Sequence, residues 1–452
     1  MLNFILTCVI YFPAYIKYVD RWFNVLLPII EPFLYNNGGP IITVQIENEY
    51  GSIGCDAQYK SHLRKLFKKL LKNNVVLFTT DGSSSSLLSC GKTDEVLSTI
   101  DFGSGANVSY NFEMLRWTQA SGPLVNSEFY PGWLDHWGEP HANVNASGIV
   151  ATLTDMLKAN ASVNVYMFHG GTSFGFTAGS NLGNTFQACP TSYDYDAPLN
   201  EAGDPTPKYY AMREAIGKFF PLPAGPVPLP SPKMKLPSVT LKRVMSLWDF
   251  ISETNNSVFS TYPLSFEKLS QPFGFVLYKA KVTFQAADPV VLTAKGIADR
   301  AHVYVNKGIF QNVTLGSQTL VNWTMTPILL DTKTIKKVAL WKQKAIKSDS
   351  VSVPSIYSGE FTIESGTKIL DSFLRVDGWH KGVAFLNNFN LGRYWPIVGP
   401  QVTLYTPSIL LQKNPAVNHI TLLELENAPC HHSSTCIVQF VDTPVVNGTT
   451  PL

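Results

Sequence analysis

The stretch at residues 38–52, GGPIITVQIENEYGS, decides the fold of this chain. An apolar run from Ile41 to Ile46 follows Gly39 and Pro40 and leads straight into two carboxylates flanking an amide, Glu47, Asn48 and Glu49. Turn residues followed by a strand-length apolar run predict a buried β-strand that delivers acids to its C-terminal end. In parallel α/β architectures that end faces the active site, so the acids are catalytic candidates. The alternative is an ordinary solvated strand-to-helix loop. Gln45, Asn48 and Tyr50 favour catalysis over that loop, because they supply the polar partners a partly buried acid needs.

The same alternation continues on both sides. Upstream, the spacing predicts a helix over Asp20 to Leu34, with Trp22, Val25, Leu26, Ile29, Ile30 and Phe33 as its apolar face. Downstream, strand-like runs fall at 75–80, 97–102, 123–129 and 163–168, with helical patterns between them, notably Ala57 to Lys72 and Gly148 to Asn160. Repeated β-α units mean a parallel sheet. Several of these strands end in polar or acidic groups, Asp81, Asp101, Glu128 and His169, the pattern of a (β/α) barrel at its catalytic face.

From Phe220 to Lys235 the chain turns proline-rich, which reads as a linker. Beyond it come short alternating strands with frequent turn residues, so the second half is predicted to be β-sandwich. VYVNKGIFQ at 303–311 and AFLNNFNLG at 384–392 share a strand, Asn-containing turn, strand pattern, and two related modules are expected. The lysine-rich stretch from about 325 to 350 has a weak pattern.

Composition narrows the function classes. The 452 residues, 45% of them hydrophobic, have room for two or three domains and a sizeable core. A net charge of +2 gives no reason to expect nucleic acid or an anionic membrane as a partner, and the basic run from Arg64 to Lys72 reads as the solvated face of a helix. Charged residues are only 15% and aromatics 12%, a balance that suits neutral, hydroxyl-rich ligands held against rings. N-x-Ser/Thr sequons at Asn107, Asn145, Asn160, Asn255, Asn312, Asn322 and Asn447 point to the secretory pathway, and six cysteines agree with it. Cys55 and Cys90 each follow a strand end, leaving Cys8 and Cys189 unpaired or paired together. CHHSSTC at 430–436 reads as a disulfide or a metal site, and its spacing does not match a zinc finger. Leu2 to Phe12 is apolar but has no basic flank and is too short to span a bilayer, and no other stretch is long enough for a transmembrane helix.

If the chemistry is glycosidic bond cleavage, it needs a second carboxylate on another strand. Glu128 fits best, at the end of PLVNSEF and followed by Phe129, Tyr130, Trp133 and Trp137, rings that suit a sugar face; a purely structural role for it is the alternative. Tyr193, Asp194, Tyr195 and Asp196 form a third polar and aromatic cluster, equally readable as a packed loop.

Together, GGPIITVQIENEYGS, VLFTTDG, NSEFYPGWLDHWG, VNVYMFHGGTSFGF, TSYDYDAPLNEAGDPTPKY and FNLGRYWPIVGPQ resemble the lysosomal-type β-galactosidases of glycoside hydrolase family thirty-five, in the same order from about Tyr15 to Val446. The resemblance implies α/β plus all-β architecture: a TIM barrel followed by two β-sandwich domains of jelly-roll, galactose-binding-like type. It implies retaining hydrolysis of terminal β-linked galactose without a cofactor or metal. It also implies Glu49 as acid/base, Glu128 as nucleophile, and Asn48, Tyr130, Trp133, Tyr166 and Tyr193 around the sugar. Disulfides Cys55–Cys90 and Cys430–Cys436 and a lysosomal or extracellular location follow by the same resemblance, and homo-oligomerisation stays open. Ile41 matches the start of the family's fourth barrel strand, so the expected organisation is a partial, N-terminally truncated barrel over 1–222, a linker and connecting segment over 223–258, a shortened first β-domain over 259–350 and a second over 351–452. The competing expectations are an inactive galactoside- or partner-binding chain and a non-functional fragment.

Overall fold

The computed structural model describes residues 11–183, 185–253, 256–282, 300–305, 308–309, 320–340 and 354–450. They fall into two compact units, one over Met1–Trp133, Asn143–Gly170 and Tyr195–Leu229, the other over Leu134–Ala142, Gly171–Asp194 and Pro230–Leu452. The expected linear split at residue 222 is thus replaced by interleaving: two internal stretches of the first half belong to the second unit. Residues 1–10 and the sequons at Asn255 and Asn312 lie outside the described residues, as does Cys8.

The first unit is built on five parallel strands, β1 (Thr43–Asn48), β2 (Val76–Gly82), β3 (Leu97–Gly103), β4 (Val125–Tyr130) and β5 (Ser162–Val165), hydrogen-bonded in that order. Between them run α1 (Pro13–Ile30), α2 (Tyr50–Ile53), α3 (Ala57–Leu70), α4 (Ser85–Gly91), α5 (Val108–Thr118), α6 (Ala146–Lys158) and, after β5, α7 (Pro207–Gly217). The caps explain where the helices begin. Asp56, Ser84, Asn107 and Asn145 each sit in extended backbone and accept amide protons from the first turn of α3, α4, α5 and α6. The β3–β5 side of the sheet packs α5, α6 and α7 through Ile100, Phe112, Phe129, Ile149, Met156 and Met212.

Two expectations about this unit need correcting. The N-terminal helix runs over Pro13–Ile30 rather than Asp20 to Leu34: Pro13 opens it with a ring already set at helical φ, and the chain tightens into a single 3₁₀ turn at Glu31–Phe33. Its inward face is Ile16, Phe23, Leu27 and Ile30, whereas Trp22, Val25 and Ile29 are exposed. Nor is the Ile41 to Ile46 run uniformly buried. β1 is an edge strand paired only with β2 among the described residues, so Ile46 is buried while Ile42 is 68% exposed.

The second unit holds two antiparallel sheets on one core. One orders its strands Leu236–Thr240, Ile437–Val441, Ser372–Arg375, Thr403–Thr406; the other Lys242–Ser246, Ser355–Phe361, Asn418–Glu424, Gly382–Leu386, Phe389–Tyr394. Leu374 and Phe440 from the first meet Tyr357, Leu422 and Leu386 from the second around the fully buried Trp379. The hairpin foreseen at 384–392 turns through Asn387 and Asn388, both at positive φ, the backbone a two-residue turn of matching twist requires. The connecting segment after the prolines is not linker throughout: Leu236–Thr240 and Lys242–Ser246 join the two sheets, one each. A smaller sheet of Val258–Ser260, Trp323–Ile328 and Phe275–Lys279, with a two-stranded pair at Tyr304–Val305 and Gly308–Ile309, occupies the earlier β region, and the weakly patterned lysine-rich stretch begins with a helix, Thr332–Leu340.

Candidate active site

The C-terminal ends of β1 to β4 carry the chemistry. Register sets Gly82 of β2 opposite Asp101 of β3, and Asp101 opposite Glu128 of β4. Beneath Glu128 lies a buried hydroxyl ladder. The Ser127 hydroxyl donates to Thr80 Oγ1 at 2.6 Å and lies 2.6 Å from that of Thr99, which donates to the Thr79 carbonyl at 2.8 Å. Asn126 Nδ2 donates to the Phe102 carbonyl, and Asn164 Nδ2 to that of Ser127. Polar side chains this deep satisfy one another and fix the strand ends that bear the acids.

Glu49 is placed by an unusual backbone. It adopts φ 48° and ψ 37°, left-handed conformation for a non-glycine residue, and its amide donates to the Thr80 carbonyl at 2.9 Å. The turn closes because residue 51 is glycine: a Cβ there would lie 2.0 Å from the Leu87 carbonyl oxygen, and its N–H instead donates to Asp81 Oδ1 at 2.8 Å. Tyr50 is buried and its ring packs on Tyr59. The neighbouring Glu47 is turned to structure, accepting the Tyr59 hydroxyl proton at 3.1 Å and the Asn48 amide at 2.8 Å. Asn48 itself is exposed and accepts from Gln45 Nε2 at 2.8 Å.

One hydroxyl joins the two candidate acids. Tyr130, two residues after Glu128 on the same strand, puts its oxygen 3.2 Å from Glu49 Oε1 and 3.1 Å from Glu128 Oε2. Those two carboxylate oxygens therefore lie no further apart than the two contacts combined, about 6.3 Å. Burial raises the Glu128 pKa and the Glu49 charge adds to that, while the hydrogen bond from Tyr130 works against both. Burial also pushes Asp101 up to about 7, helped by the charges of Glu49 and Glu128, and Asp81 up to about 6.

Rings wall the site. Trp133 meets Tyr130 edge-on at 5.2 Å and is 49% exposed, Tyr166 just beyond β5 meets Tyr130 at 6.3 Å, and the buried Tyr195 touches both Trp133 and Tyr166. Tyr195 and Asp196, at positive φ, are held by the buried Lys208, which donates to the carbonyls of Pro131 and Asp196 and to the Asp196 carboxylate. Sequence reading had Tyr195 only as part of a loop cluster, because nothing local announces that its ring crosses to Trp133. Tyr193 falls in the second unit, where Ser192–Tyr193 pairs with Gly171–Thr172. His169 is exposed beyond β5.

Both expected disulfides are formed, Cys55–Cys90 and Cys430–Cys436, so the CHHSSTC stretch is bridged by a disulfide; Cys189 is free and buried. Among the described residues no helix is long and apolar enough to cross a membrane.

Residues 11–219 match the profile described as Glycosyl hydrolases family 35, residues 263–307 that of the β-galactosidase first all-beta domain, and residues 354–418 that of the β-galactosidase galactose-binding domain. The chain is 41% identical over 499 residues to the β-galactosidase of Canis lupus familiaris, covering 96% of this chain and 74% of that one. The chain belongs to glycosyl hydrolase family 35. It is likewise 40% identical to the Homo sapiens β-galactosidase, over 96% of this chain and 73% of the relative. Identity to the Mus musculus β-galactosidase-1-like protein is 41%, over 97% of this chain and 74% of the relative. A solved Bacteroides uniformis β-glucuronidase aligns at 10% identity with a TM-score of 0.31, over 96% of this chain and 57% of that one, a likeness too low to bear on the fold. A glycoside hydrolase domain followed by all-β domains is the architecture the sequence predicted.

Proposed function

We propose that this chain is a retaining exo-β-galactosidase that releases terminal β-linked galactose from glycoconjugates. The observation that carries the proposal is the Glu49, Tyr130, Glu128 constellation, with carboxylate oxygens within about 6.3 Å of each other. Retaining enzymes hold their two carboxyl groups about 5–5.5 Å apart, whereas inverting enzymes leave about 6.5–9.5 Å for a water. The galactoside as substrate is taken from the names of the relatives. Glu128 Oε2 attacks the anomeric carbon while Glu49 passes its proton to the departing glycosidic oxygen. Glu49, now ionised, takes a proton from water, and that water breaks the glycosyl ester and frees Glu128. Trp133, Tyr130 and Tyr166 offer ring faces and a phenolic donor to the sugar, and Asn48 an amide beside the acid. The five parallel strands correspond, in this proposal, to strands four to eight of a TIM barrel.

A glycosylated protein of the secretory pathway, lysosomal or extracellular, fits the same proposal. Asn107, Asn145, Asn160, Asn322 and Asn447 all lie exposed, two of them as helix caps, so each is accessible to a glycan. The test is to incubate the protein with an activated 2-deoxy-2-fluoro-β-galactoside and map the label by peptide mass spectrometry. Ester formation on Glu128, abolished in Glu128→Gln together with a loss of turnover of about a thousandfold or more, is expected. A label elsewhere, or undiminished labelling of the variant, removes Glu128 as nucleophile; galactoside binding without turnover or labelling points to the inactive binding protein instead.

A further inference from the structure

Three carboxyls, not two, crowd the Tyr130 hydroxyl. Asp101 ends β3 directly opposite Glu128, and the groups that bear on it are Glu49 from the turn after β1, Asp81 from β2, and Glu128 and Tyr130 from β4. Its Oδ2 is buried and has no hydrogen-bond partner among the described residues. That is not how a structural carboxylate is kept in this unit: Asp81 accepts the Gly51 amide, and Asp56 accepts three backbone amides. On the β2 side the register partner is Gly82, where even an added Cβ would stand 3.9 Å from Asp101 Oδ1, so no side chain meets the acid there.

Counting protons exposes a shortage. The phenol has one proton and lies within hydrogen-bonding distance of both Glu49 and Glu128, so it serves one carboxylate and leaves the other facing an oxygen lone pair. A third ionised carboxylate would add a charge with no donor to meet it. Burial and the two glutamates resolve this by keeping Asp101 protonated up to about 7. We propose that Asp101 is a positioning residue of the catalytic pair, a proton-bearing carboxyl whose O–H is the second donor of the cluster and holds Tyr130 and Glu128 in register for attack. The inference rests on reading Glu49 and Glu128 as that pair.

The readout is the pH dependence of kcat/KM on an aryl β-galactoside. Asp101→Asn keeps the size and supplies a permanent N–H donor, so the alkaline limb should move up by about half a pH unit or more, because the group that loses its proton there no longer titrates. Asp101→Ala removes the donor, and kcat should fall about tenfold or more with KM changed far less. A wild-type pH profile in Asp101→Asn, or an Asn variant as impaired as the Ala variant, would overturn the proposal. If Asp101→Ala does not fold by near-ultraviolet circular dichroism, the comparison of wild type with Asp101→Asn decides alone. Fluorogalactoside labelling of the wild type keeps the two claims apart. An unlabelled Glu128 removes the pair itself, whereas a labelled Glu128 with an unmoved limb removes only the role of Asp101.

Discussion

At the scale of single residues, Tyr130 has an effect that can be isolated. Its hydrogen bond is the one influence that lowers the pKa of Glu128, against burial and the Glu49 charge, which both raise it. A nucleophile must be ionised, so the acid limb of kcat/KM should follow Glu128 in the free enzyme. Removing the phenol in Tyr130→Phe takes away the lowering influence, the Glu128 pKa rises further, and the acid limb moves to higher pH. A hydrogen bond to a charged group sets the size at about one pH unit. A pH profile of the variant on an aryl galactoside checks this, and an acid limb that stays in place would mean that Tyr130 donates to Glu49 in the free enzyme. Glu49 illustrates what a residue-by-residue reading misses. Its identity as a strand-end acid was plain, but its left-handed backbone depends on Gly51 passing under Leu87, a contact between residues 36 apart in sequence.

At the scale of elements, the strands β1 to β5 were legible because apolar runs of strand length ended in polar residues and helical periods separated them. Helix starts were legible where a capping Asp, Asn or Ser preceded the pattern. The N-terminal helix was misplaced because its most apolar residues are not its inward ones. Trp22 and Ile29 are 60% and 59% exposed, while Ile16 and Leu27 are buried. Periodicity finds an apolar stripe but cannot say which side a neighbour covers. The carboxyl pair was foreseen from strand ends, whereas the bridging phenol and the orphaned Asp101 oxygen depend on the register of β3 against β4, which no local pattern encodes. The exposed stripe yields a prediction: Trp22→Gln with Ile29→Lys should lower binding of a hydrophobic dye, yet shift the melting temperature by no more than about 2 °C, since surface changes cost about 0.5 kcal/mol. Dye fluorescence and a thermal melt read both, and a large fall in melting temperature would show that this face is covered in solution.

At the scale of the whole molecule, the order of segments matters more than the proline-rich stretch. The second unit takes in Leu134–Ala142 and Gly171–Asp194 from the middle of the chain's first half, and these are stitched to its later strands. Thr191 donates its hydroxyl proton to the Arg393 carbonyl at 2.7 Å, the Ser192 amide donates to Gln401 at 2.8 Å, and Trp137 stacks near Trp395. Cutting the exposed backbone between about residues 222 and 233 should therefore not release the C-terminal piece. Limited proteolysis followed by native size exclusion should find both pieces eluting together, and separation only in denaturant; free C-terminal fragment under native conditions would contradict the stitching. The same bonds span 202 and 209 residues of sequence. Closure across such distances is slow, because the loop entropy is met before the contact rewards it. On a ribosome this has a temporal meaning. Residues 134–142 and 171–194 leave the exit tunnel long before the strands that shelter them have been translated, so this protein cannot finish folding from its N-terminus forward. Its nascent chain must wait, with Thr191 and Trp137 uncovered, for its own last quarter.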